Sequence, residues 1–144
     1  MNVIVGESLI LTYLAQRRVL EEALRLPHEM VVPDVMLVDT LLDLGSYDRK
    51  ALLAMGARVG YLDGDGVELA RAYQADYAAL STTETFALVL AEAAGEAAIL
   101  LSGEVAFRRA AESHGLQVRG LSWILDEMNR HGMADIERLR TELW

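Results

Sequence analysis

Short, uninterrupted apolar runs at 3–5 (VIV), 30–32 (MVV) and 97–101 (AAILL) each lead into a segment with helical periodicity. A strand with one wet face alternates apolar and polar residues. A continuous apolar run instead has both faces covered, as in a parallel sheet packed between helices. The pattern predicts strands at 2–5, 28–33, 58–62, 97–101 and 116–120. It predicts helices over 7–26 (in two pieces), 34–45, 46–56, 63–80, 82–95, 104–114, 121–132 and 134–144. Gly45 suits a left-handed C-terminal cap, and Ser46 and Ser81 suit N-caps. Strands alternating with helices make an α/β layer fold with a mostly parallel sheet.

The 144 residues are enough for one domain, 1–144, with a proper core, and two prolines and eleven glycines are too few for disorder. A net charge of −9 excludes a surface that grips polyanions everywhere. Twelve arginines and one lysine can still form a local nucleic-acid site. Without cysteine there are no disulfides and no zinc thiolate sites. The opening MNVIVGES has no basic segment of a secretion signal, and Glu92 and Glu96 interrupt the longest apolar stretches. The expectation is a soluble, cytoplasmic domain that does not enter a membrane.

In an open parallel sheet, ligands bind beyond the carboxyl ends of the strands. Glu7 follows the first strand and Glu104 follows AAILL, so both belong on one rim. Asp39 lies four residues after Val35 and three before Leu42, on the apolar face of its helix. Glu84, four residues before Leu88, shares a face with packed residues. Each acid also has a structural reading. Glu7 and Glu104 can meet the positive end of a helix dipole, STTE at 81–84 matches a capping box, and a buried Asp39 can pair with an arginine. Capping and metal binding are compatible, and the residues alone leave both open.

Four stretches together resemble the PIN domain, the fold of VapC-type toxins and related nucleases. VIVGESLILTYLA is similar to the family's opening strand with its acid and Ser or Thr. VPDVMLVDTL resembles the Pro-led helix with an acid six residues on, Asp39. LSTTETFALVLAEAAG resembles the third element, with Glu84. AILLSGEVAFRRAAESHGLQVRGLSWILDEM resembles the most specific stretch, where Ser or Thr, a small residue and an acid follow the strand. The resemblance implies a three-layer α/β/α sandwich in which Glu7, Asp39, Glu84 and Glu104 gather around Mg2+ or Mn2+. It implies hydrolysis of RNA phosphodiester bonds by a metal-dependent endoribonuclease. It further implies roles for Ser8 and Ser102 in orienting water or phosphate and for Arg108 in neutralising phosphate. For a toxin, an antitoxin is the partner. The family carries aspartate at three of the four acid positions and glutamate at the second. Here each is exchanged for the other acid, so charge is kept and reach altered.

LDGDGVE at 62–68 lacks the remaining ligands of a calcium loop, and His28, His114 and His131 show no metal spacing. Trp123, Trp144 and the aliphatic residues of the last helices suit core or dimer contacts. The apolar excess predicts a homodimer. Besides the nuclease, two readings stand. One is a PIN-like RNA- or protein-binding module without turnover. The other is an unrelated doubly wound domain whose acids only cap helices.

Overall fold

The computed structural model describes residues 1–38 and 47–132. Five strands, β1 (Asn2–Val5), β2 (Glu29–Pro33), β3 (Arg58–Gly60), β4 (Ala98–Leu101) and β5 (Gln117–Arg119), form one sheet in the order β3-β2-β1-β4-β5. Every pairing is parallel. The three inner strands are almost wholly buried, whereas the edge strands β3 and β5 are short and carry exposed arginines. Continuous apolar runs therefore occupy the centre, and short polar-flanked strands limit the edges.

The two faces read off by alternation. Val3, Val5, Met30, Val32 and Leu101 point into one core, with α1 (Ser8–Gln16), α2 (Leu20–Leu24), α3 (Asp34–Leu37), α4 (Arg49–Ala54) and α8 (Leu121–Arg130). Ile4, Val31, Leu100 and Val118 point into the other, which is built mainly on α6 (Thr82–Ala94) and α7 (Val105–Ser113). Tyr73 and Tyr77 from α5 (Gly64–Asp76) and the residue after it pack on that second core. The result is the expected three-layer α/β/α sandwich. Trp123 packs against the first core, as a core aromatic should.

Several boundaries differ from the sequence-based expectations. α5 stops at Asp76 rather than running to 80, and α3 ends at Leu37. The cap of α4 is Asp48, whose carboxylate accepts from the Ala51 amide at 2.8 Å, not Ser46. Asp offers the same short acceptor as Ser, and the helix begins later than periodicity suggested. Asp39, Gly45, Ser46 and the helix expected over 134–144 lie outside the described residues, as does Trp144. Among the described residues no helix is long and apolar enough to cross a membrane.

After β1 the chain turns to the face that holds α1; after β4 it turns to the opposite face, with α7. Adjacent parallel strands whose connections leave to opposite faces open a crevice at their carboxyl ends. The residues that border it are Gly6 to Ser8 and Ser102 to Glu104.

Candidate active site at the carboxyl rim of β1 and β4

The two rim loops are held tightly. The Gly6 amide donates to the Leu101 carbonyl at 2.8 Å, and the Ser102 amide donates to the Arg119 carbonyl at 3.0 Å. Gly6 has no room for a side chain: a Cβ would stand 2.8 Å from Phe107 Cε1 and 3.2 Å from the Leu101 carbonyl oxygen. Glu7 occupies the N-cap position of α1 in an extended conformation, yet its side chain does not cap that helix. It reaches across instead, and its Oε2 accepts from the Gly103 amide at 2.7 Å.

Ser102 is fully buried, and its hydroxyl accepts from the Glu104 amide at 3.1 Å. In this geometry Ser102 shapes the loop and presents no surface to a water or a phosphate. Glu104 takes the N-cap position of α7, again without a side-chain cap. Its carboxylate has no partner among the described residues.

The opposite wall is the start of α6. Ser81 Oγ accepts from the Glu84 amide at 3.1 Å, and Glu84 Oε1 accepts from the Ser81 amide at 2.9 Å, completing the capping box read from STTE. Between the walls lies a cleft of about 620 Å³, lined by Gly6 to Leu9, by Ser81 to Glu84 and by Glu104. Glu7, Glu84 and Glu104, which come from three different parts of the chain, thus border one space, with Ser8 among them. An adjoining groove of about 420 Å³ shares Glu7 and Leu9 and continues along Ile10, Tyr13 and Leu121. Arg108 is exposed on α7, one turn beyond Glu104, and does not line the cleft.

The donors at this rim are carboxylate oxygens, the ligands that Mg2+ and Mn2+ prefer. They fit such an ion in kind. Glu7 and Glu84 each have one oxygen bonded to a backbone amide and one outside those bonds; Glu104 has both oxygens unengaged. Among the described residues no three of these groups are gathered closely enough to hold an ion, and Asp39 lies outside them.

Sequence reasoning missed three features, two at the cleft and one at the end of β2. The Gly103 amide holds Glu7, and glycine in a strand-to-helix turn carries no local sign of that role. Leu9 is 63 % exposed at the cleft's edge. Asp34 stands at the carboxyl end of β2, and its Oδ1 is buried with no hydrogen-bond partner among the described residues. The pair Pro33-Asp34 at the end of an apolar run was the signal that could have marked it.

No curated protein matches the chain. A family model described as a PIN domain matches residues 3–143, nearly the whole length. With the parallel sheet and the acidic cleft at its carboxyl rim, the match settles the family: this chain belongs to the PIN domain family, whose fold is of the nuclease type.

Proposed function

We propose that the cleft is the active site of a divalent-cation-dependent endoribonuclease of the PIN type, hydrolysing RNA phosphodiester bonds within one cytoplasmic domain of 144 residues. The observation that carries this reading is that Glu7, Glu84 and Glu104 all border one cleft at the β1/β4 crevice. These three, with Asp39, would hold Mg2+ or Mn2+. When bound there, the ion supplies Lewis acidity to a phosphoryl oxygen and makes water a better nucleophile. The chain's own part is to orient. Ser8 offers a hydroxyl on the cleft wall to a phosphate, and Arg108 offsets phosphate charge beside an otherwise acidic protein.

The resemblance to the PIN domain, the fold of VapC-type toxins, supports a toxin role with an antitoxin partner, and a small reading frame upstream of the gene would support that pairing. Leu9, Val38 and Val105, all highly exposed large apolar residues, support a homodimer. Sedimentation at micromolar protein checks this, and a monomer alone would refute it.

A second reading, an RNA-binding module without turnover, is favoured by one observation: Glu7 and Glu84 are already bonded to backbone amides. One assay separates the two. Purified parent and Glu104→Gln are incubated with mixed RNAs and either metal. Cleavage by the parent that vanishes in Glu104→Gln supports the nuclease. RNA binding without cleavage supports the module. Equal cleavage by both proteins overturns the assignment of this cleft.

A further inference from the structure

Ala70 is the one buried residue of α5, and the rings of Tyr73 and Tyr77 add apolar packing on the second core. Polar contacts fix the helix further. Tyr73 Oη donates to Glu92 Oε1 on α6 at 2.6 Å, and Tyr77 Oη lies 3.1 Å from His114 Nε2 at the end of α7. Between these two tyrosines in sequence stands Gln74, whose side chain turns toward the start of α6. Its Nε2 donates to the Leu80 carbonyl at 2.7 Å, and its Oε1 accepts from Thr82 Oγ1 at 3.3 Å.

Those two contacts fall on either side of Ser81. Leu80 is itself anchored in the second core, so its carbonyl is a buried-side acceptor that water serves poorly. A glutamine amide carries donors and an acceptor on one planar group, so it can serve a carbonyl and a hydroxyl at once. Glutamate has no donor when ionised, and methionine has the length without the donors.

We infer that Gln74 is a positioning residue for the cleft: by clamping Leu80 and Thr82 it fixes the turn on which Ser81 and Glu84 exchange their capping bonds. It thereby fixes where the Glu84 carboxylate stands. The tyrosine contacts to Glu92 and His114 hold α5 in register so that Gln74 meets the turn. The functional side of this inference rests on the nuclease reading above; the structural side does not.

Amide hydrogen exchange on the full chain without metal tests it. Three amides report on the turn: Ser81, bonded to Glu84 Oε1; Glu84, bonded to Ser81 Oγ; and Thr85, bonded to the Ser81 carbonyl. In Gln74→Met, which keeps the side chain's length, exchange at these three rises about fivefold or more, as expected for losing a net-stabilising bond. Amides near the ends of α1 and α8, which exchange by local opening, keep their parental rates. Thr82→Val, which removes one of the two contacts, gives a smaller rise at the same three sites. Unchanged exchange at Ser81, Glu84 and Thr85 in Gln74→Met overturns the inference, and so does an equal rise throughout the protein.

A second arm measures RNA cleavage. If the parent cleaves with Mn2+, Gln74→Met needs several-fold more Mn2+ for half-maximal rate, with the rate at saturating Mn2+ near parental. The same Mn2+ requirement in both proteins would overturn the functional side. A parent that cleaves nothing defeats the nuclease reading, while the exchange data still decide the role of Gln74.

Discussion

The carboxylate of Glu7 and the amide of Gly103, 96 positions apart in sequence, are joined by a 2.7 Å hydrogen bond across the crevice between β1 and β4. A charged acceptor on a backbone N–H makes a stronger bond than a neutral one, though solvent at this rim screens it. Glu7→Ala is therefore expected to lower unfolding free energy by about 1 kcal/mol in urea titrations. Glu7→Gln, which keeps an acceptor oxygen, should cost less. Faster hydrogen exchange at Gly103 in the alanine variant checks that this bond, and not general loosening, is responsible.

The same bond bears on metal preference. Glutamate places its carboxylate about 1.5 Å farther from the backbone than aspartate does. Mg2+ demands near-ideal octahedral distances, whereas Mn2+ is less exacting. Parallel cleavage assays should show a higher rate with Mn2+ than with Mg2+ at equal concentration. A Mg2+ preference would contradict the role given to the long acidic arms.

Gly6→Ala should destabilise the fold by about 1–3 kcal/mol. The added Cβ would meet Phe107 at 2.8 Å, and that ring is fully buried and cannot swing away. Chemical unfolding measures the loss, and Phe107→Leu in the same chain should recover part of it by making room.

Glu127 on α8 is 8 % exposed. Burial pushes its pKa up, but hydrogen bonds from His28 at 3.1 Å and Arg130 at 2.8 Å outweigh burial and hold it below the ordinary value of 4.5. A depressed folded pKa adds stability above the unfolded value and loses it as pH falls through the folded one. Glu127→Gln should cost about 1–3 kcal/mol at pH 7 and progressively less below pH 4.5. Thermal unfolding of both proteins across that range tests the convergence.

The Tyr73 phenol is pushed up to about 12 by burial and by its hydrogen bond to Glu92. A raised folded pKa favours the folded state below the unfolded value of 10.0, and that contribution disappears as pH rises toward 12. In an ultraviolet titration Tyr73 should ionise later than an ordinary tyrosine. Tyr73→Phe should remove the late component, and Glu92→Gln should move it to lower pH.

Much of this molecule follows from local pattern. Strand and helix periods differ, so the alternation of VIV, MVV and AAILL with amphipathic segments was enough to specify a buried parallel sheet between helices. The Ser81–Glu84 capping box was equally legible, because both partners lie within one helical turn. What tertiary structure decided is how distant groups meet. Only the order β3-β2-β1-β4-β5 sets β1 beside β4 and lets Glu7 reach Gly103 rather than cap its own helix. Only packing put Ser102 out of solvent, and only the lie of α5 on α6 gave Gln74 the Leu80 carbonyl. A side chain chooses among its rotamers by the partners it finds in space, and a linear pattern does not contain that information.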